Sequence, residues 1–133
     1  MQIMKQTFSK AERLCSKRLI SMLFAEGHTF RVNPFRITWN KQPLEVDSPV
    51  QVMMNVPKYN FHKAVQRNLI RRRMKEAYRL NKQSLYDHLS VTGTQIVVSI
   101  TYNAKEIVTY DLIEGKIILI LQRLIIENEK VTG

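Results

Sequence analysis

Phe61–Leu80, FHKAVQRNLIRRRMKEAYRL, contains neither glycine nor proline and is rich in helix formers, so it predicts a helix of roughly 28 Å at 1.5 Å per residue. At about 100° per residue, Val65, Leu69, Ile70, Met74, Ala77 and Leu80 fall on one side. Arg67, Arg71, Arg72, Lys75, Arg79 and Lys82 crowd with Asn68 into an arc of about 140° on the other. A helix with this pattern lies on a core and shows solvent a cationic ridge. Lys63 and Arg73 are exceptions; Arg73 falls inside the apolar arc, where it either snorkels or finds a buried partner. A charge run on a helix is most often a solvated face, but such faces mix signs for pairing three or four residues apart. Here like charges crowd, which is unfavourable unless an anion relieves them, and the forked guanidinium groups suit phosphates. A membrane surface is disfavoured, because the apolar side suits a core and offers no Trp or Phe anchor.

The ridge holds most of the excess charge of the 133-residue chain, whose 21 Lys and Arg against 11 Asp and Glu give +10 and a pI near 10.0. Such a field attracts polyanions. The length suits a single domain spanning residues 1–133, and 44% hydrophobic with 24% charged residues is the composition of a folded protein rather than a disordered one. Cys15 is the one cysteine, so no intrachain disulfide or Cys-rich metal motif is possible, as expected in a reducing, cytoplasmic setting. Leu19–Ala25 is too short for a signal peptide core in its position, and Gln122 and Arg123 interrupt Ile117–Ile126, so no membrane span is expected.

Upstream, Ser9-Lys10-Ala11-Glu12 reads as a capping box and Gly27 as a stop, predicting a helix from Lys10 to Glu26. Phe30–Val32, the Asn33-Pro34 break and the alternating Phe35–Trp39 follow, then a loop over residues 40–49. Val50–Val56 is a second alternating strand, expected to form a hairpin with Phe35–Trp39. Pro57 ends it. Beyond the basic helix a polar stretch runs to Gly93, Gln95–Ile100 reads as a buried strand, and Asp111–Asn128 as a C-terminal helix. The fold class is therefore α+β, a single sandwich in the order α-β-β-β-α-β-α with about four strands.

Lys63–Arg79, KAVQRNLIRRRMKEAYR, resembles the signature helix of the bacterial ribonuclease P protein component, whose pattern is roughly K-A-V-x-R-N-x-I-K/R-R-x-I-R-E-x-x-R. Val56–Phe61 resembles the family's strand-end V-[SA]-K-K segment, and Arg13-Leu14 through Phe24–Gly27 its first helix, so the likeness covers most of residues 9–101. Tyr59 departs from the usual second Lys or Arg, Lys75 from the usual Arg, and Arg73 from an apolar residue. The resemblance implies the same element order with one left-handed βαβ crossover, a ribosomal protein S5 domain 2-like fold, against the usual handedness rule.

It also implies a function: a protein subunit that binds the ribonuclease P RNA and the 5′ leader of precursor tRNA. The RNA subunit carries the active site and hydrolyses the leader junction with Mg²⁺. The implied RNA-binding residues are Lys63, Arg67, Asn68, Arg71, Arg72, Lys75 and Arg79. The implied leader cleft comprises Ile20 and Phe24 from the first helix, for which core packing is an equal reading, Arg36, Thr38, Met53 and Asn55 from the strand face opposite Phe35, Ile37, Val52, Met54 and Val56, and Lys58 and Tyr59. The residues themselves agree with that division of labour. Acidic residues are scattered, none lies in an expected strand, and His28, His62 and His88 lack ligand spacing, so no catalytic residue, protein-bound metal or obligate protein partner is expected. The alternative is a ribosomal or other structured-RNA binder without processing activity, which would share charge and architecture.

Overall fold

The computed structural model describes residues 7–132. Its elements are α1 (Lys17–Glu26), β1 (His28–Val32), β2 (Phe35–Lys41), β3 (Val50–Asn55), α2 (Ala64–Asn81), α3 (Gln83–Thr92), β4 (Ile96–Tyr102) and α4 (Tyr110–Thr132), after a short 3₁₀ turn at Lys10–Glu12. The four strands form one sheet in the order β1-β2-β4-β3, with β4 antiparallel to β2 and parallel to β3.

Alternation along the strands gives the sheet two unlike faces. On one, Phe35, Ile37, Trp39, Val50, Val52, Met54, Ile96, Val98, Ile100 and Tyr102 meet Ile70, Met74, Ala77, Leu85, Leu89, Ile113, Ile117 and Leu124 from α2, α3 and α4. On the other, Leu14, Leu19 and Leu23 close over Val97, with Ile20, Leu44 and Met53 at the margin. The second cluster is small, so α1 covers only part of that face and leaves the rest open.

The expected hairpin between the second and third strands is not formed. β2 pairs with β1 across the Asn33-Pro34 turn, where the peptide is cis, and β4 lies between β2 and β3. The reason is the composition of β4: IVVSITY is buried on both faces almost throughout, and such a strand belongs at the centre with ladder partners on both edges. The intervening loop is tied down by Gln95, which accepts from the Leu44 amide at 2.9 Å and donates to the carbonyls of Val46 and Ser48 at 3.1 and 3.0 Å.

The first helix also starts later than the capping-box reading places it. Ser9 makes no side-chain cap, and Glu12 turns instead to Lys82. Arg13 bridges to Val52, with the Leu14 amide 3.1 Å from the Val52 carbonyl. The helix starts only at Lys17, capped by Ser16 through the Leu19 amide, and ends where the Gly27 amide reaches the Leu23 carbonyl at 2.8 Å.

Two further differences follow the basic segment. α2 begins at Ala64 rather than Phe61, and the stretch read as polar contains α3, which buries Leu85, Tyr86 and Leu89. Gly93 ends α3 at φ 68°, a left-handed conformation suited to glycine. The Leu85–Leu89 spacing and that glycine were signals for a helix, outweighed in the sequence by the surrounding polar residues. The order is thus α-β-β-β-α-α-β-α. The C-terminal helix is present over a longer range than Asp111–Asn128.

Candidate nucleic-acid interface

The open part of the second sheet face is built in transverse rows. Register pairs Arg31 with Arg36, Arg36 with Thr101, and Thr101 with Asn55, so these four residues cross the sheet in line. The next row is Thr29, Thr38, Ser99 and Met53. Directly paired residues share a face, so Arg36, Thr38, Met53 and Asn55 lie on one face as expected, but Thr38 is 7% exposed and Ser99 1%, so of the second row only Thr29 and Met53 reach the surface. The neighbours Thr29 and Arg31 on β1, and Ser99 and Thr101 on β4, complete the floor. The sequence reading missed them because it weighed β1 and β4 by apolar content and not by the polar half of their alternation.

Polar groups on this floor are joined to one another. The Asn55 Nδ2 lies 3.0 Å from the Ser99 Oγ and 3.4 Å from the Thr101 Oγ1, and the Thr29 and Thr38 hydroxyls are 3.2 Å apart. Ile20 and Phe24 differ: Ile20 packs against the small cluster, whereas Phe24 is 53% exposed. Lys58 and Tyr59 are exposed just past the end of β3.

On α2 the buried residues are Ile70, Met74, Ala77 and Tyr78, while Val65 is 78% exposed and Leu80 is also exposed. The helix is therefore rotated relative to its hydrophobic pattern, because it packs on α4 as well as on the sheet and must bury Tyr78 against Tyr86. The cations sort accordingly. Lys63, Asn68, Arg72 and Lys75 are exposed. Arg67 donates to the carbonyls of Phe61 and His62 at 2.7 and 2.9 Å and so holds the entry to the helix, and Arg71 reaches the Asn68 Oδ1 at 3.4 Å. Arg79 pairs with Glu76 through contacts of 2.5 and 3.0 Å. That hydrogen bond holds the Glu76 carboxyl below its usual range and raises Arg79.

Two cations of the basic segment turn to protein partners. Lys82, counted in the cationic arc, is buried against Glu12. Arg73 finds a partner, donating to the Val108 carbonyl at 2.8 Å. In compensation Arg13 joins Arg71 and Lys75 around a groove with Phe8, Leu14, Cys15, Val52, Met53 and Met54. This groove connects the ridge to the sheet through Met53, which also sits in the second row of the open floor.

Among the described residues no three His, Cys, Asp or Glu side chains converge as metal ligands. Glu12, Glu76 and Glu127 are engaged by Lys82, Arg79 and Arg123, and Glu114 by Asn81 and Tyr110. No helix among the described residues is long and apolar enough to cross a membrane.

Residues 8–124 match the ribonuclease P family profile. The ribonuclease P protein component of Porphyromonas gingivalis is 38% identical over 81 residues, covering 61% of this chain and 59% of that protein. That of Chlorobium phaeobacteroides is 38% identical over 80 residues, covering 58% and 55%. The match thus spans less than two thirds of these relatives' length. The fold is that of the ribonuclease P protein from Thermotoga maritima, with a TM-score of 0.65 at 22% identity over 84% of this chain and 96% of that one. The Staphylococcus aureus protein gives 0.60 at 19% identity over 86% and 96%. With its signature helix, four-stranded sheet and family match over residues 8–124, this chain belongs to the ribonuclease P protein family.

Proposed function

We propose that the chain, as one domain, is the protein subunit of ribonuclease P, binding the RNA subunit through α2 and the single-stranded 5′ leader of precursor tRNA across the open sheet face. The observation that carries this reading is the continuity of the two surfaces: Arg13, Arg71 and Lys75 share a groove with Met53, and Met53 lies in the row beside Asn55, Thr101 and Arg36. A single strand leaving the cationic ridge reaches the polar floor along a groove in which the cations Arg13, Arg71 and Lys75 flank an apolar lining of Phe8, Leu14, Val52, Met53 and Met54.

The chemistry of each part follows from its residues. Lys63, Arg67, Asn68, Arg71, Arg72, Lys75 and Arg79 supply phosphate and 2′-hydroxyl contacts to folded RNA. Arg36, Met53, Asn55 and Lys58 line the path of the leader, with buried Thr38 beneath it, and exposed Phe24 and Tyr59 offer rings on which unpaired bases stack. Ile20, one helical turn before Phe24, packs on the Leu14, Leu19, Leu23 and Val97 cluster at the margin of the cleft. Hydrolysis belongs to the RNA subunit, where Mg²⁺ supplies the chemistry. The protein raises substrate affinity and screens repulsion between two RNAs.

Three reactions test it: protein with precursor tRNA and Mg²⁺, RNA subunit alone, and both together. The expected outcome is no cleavage, slow cleavage only at high Mg²⁺, and efficient cleavage at low Mg²⁺. Cleavage at the leader junction by RNA-free protein overturns the reading.

A further inference from the structure

Three large apolar side chains of α4 face outward at a spacing of seven: Leu112, Leu119 and Ile126 are 45%, 48% and 51% exposed. Single exposed apolar residues are ordinary, but a seven-residue repeat returns each time to nearly the same side of a helix. Gly115 and Gln122, also exposed, fill the alternate positions, so these five residues form one seam about 21 Å long. Half-buried Ile118 and Ile125 widen it on one flank. The opposite side of the same helix is already committed to the core through Ile113, Ile117, Ile120, Leu121 and Leu124. α4 is thus apolar on two sides, whereas a helix with one solvated face needs only one.

We propose that a second copy of the chain docks on this seam, α4 against α4, parallel and in register. Charge selects both the occupant and its direction. Asp111 lies on one flank of the seam, and Lys116, Arg123 and Lys130 lie on the other. In a parallel pair the unlike flanks meet, so that Asp111 of each copy reaches Lys116 of the other, and the contact is self-complementary and closes at two. An antiparallel pair centred on Leu119 brings like flanks together and sets Lys116 of one copy beside Arg123 of the other. Arg123 itself is turned to Glu127 at 3.2 Å and to the Phe30 ring, which keeps its guanidinium clear of the seam. α4 packs on the core face of the sheet, opposite the open floor, so docking leaves that floor uncovered and is independent of what it binds. Two heptads make a small interface, and the expected dissociation constant is on the order of 0.1 mM, a transient association.

The test is sedimentation equilibrium of the nucleic-acid-free 133-residue chain under reducing conditions, from roughly 10 µM to 1 mM. The average mass should rise with concentration from that of one chain, 15.7 kDa, towards twice that value. Leu119→Asp should stay monomeric with an unchanged far-UV spectrum, since Leu119 lies outside the core. Asp111→Lys and Lys116→Asp should each raise the dissociation constant about three- to tenfold, and the two together should restore it, because the exchange recreates the pair with its signs reversed. In Cys15→Ser/Gln122→Cys, mild oxidation should give a covalent dimer, because parallel helices set position 122 opposite itself. In an antiparallel pair centred on Leu119 the two positions are about 9 Å apart along the axis, too far for a disulfide. A chain that is monomeric even at the highest concentration, or a dimer that persists in Leu119→Asp, overturns the proposal. A dimer that Leu119→Asp abolishes but that forms no disulfide at position 122 overturns the parallel arrangement.

Discussion

The Lys82 ammonium lies 2.7 Å from both carboxylate oxygens of Glu12, and the two side chains are only 4% and 12% exposed. The same Nζ also donates to the Thr7 carbonyl and sits 5.1 Å from the centre of the Tyr86 ring. One lysine at the junction of α2 and α3 thereby straps residues 7–12 to the body of the protein. That strap holds Phe8 and Arg13 against the groove that Arg71 and Lys75 enter.

Removing one partner of this pair should be far worse than removing both. A buried charge left alone is destabilising by about 3–5 kcal/mol, whereas an apolar replacement of the whole pair is often neutral. Urea unfolding of Lys82→Met and Glu12→Leu should each show a loss in that range, with the double variant recovering most of it. Additive losses would mean the pair is not coupled.

Arg72 is exposed on the ridge and Lys130 is exposed near the far end of α4. Arg72→Ala should weaken RNA binding and lower the slope of log K against log salt by about one, while Lys130→Ala should do neither. Equal effects in a salt titration would show that net charge, and not its placement, governs affinity. Arg73→Ala should behave differently from Arg72→Ala, reducing thermal stability with little change in slope, because its guanidinium is spent on the Val108 carbonyl.

Gly27 is required by closeness and not by its φ of −74°. A Cβ there would stand 2.3 Å from the Leu23 carbonyl oxygen and 2.8 Å from the Thr38 Cγ2. Gly27→Ala should therefore push the end of α1 away from the sheet and destabilise by roughly 1–3 kcal/mol, the range for overpacking. Chemical denaturation measures the loss. Gly115→Ala is the control: a Cβ at that helical position meets nothing within 4 Å, and thermal unfolding should show unchanged or slightly raised stability.

Tyr78 and Tyr86 share a hydrogen bond of 2.9 Å inside the core. Burial raises both phenols above their ordinary value near 10, Tyr78 strongly. Folding therefore favours the protonated phenols, so their contribution is fully present below about pH 10 and is lost as pH rises from there towards the folded-state values. Unfolding followed against pH should show stability falling above pH 10, with tyrosinate absorbance appearing together with loss of structure. Ionisation of these two phenols in a still-folded protein would contradict the assignment.

Helix, strand and charge placement were legible in the sequence wherever one local periodicity dominated. The basic helix announced itself through an uninterrupted run of helix formers, β3 through the alternation of Val52 and Met54 with Gln51 and Met53, and β4 through an apolar run that only a central strand can bury. The alternation also placed Arg36, Thr38, Met53 and Asn55 on one face. What the chain pattern did not contain was the choice among partners distant in sequence. Ser9 and Glu12 satisfy a capping box locally, yet Glu12 gains more from Lys82, some seventy residues away, and the helix gives way. β2 and β3 are close in sequence, yet β4 lies between them because a strand buried on both faces must have neighbours on both edges. The rotation of α2, which buries Tyr78 and exposes Val65, was decided by packing against α4 and α3. Local rules act on a few neighbouring residues, whereas burial of charge and apolar surface is settled only when the whole chain has closed on itself.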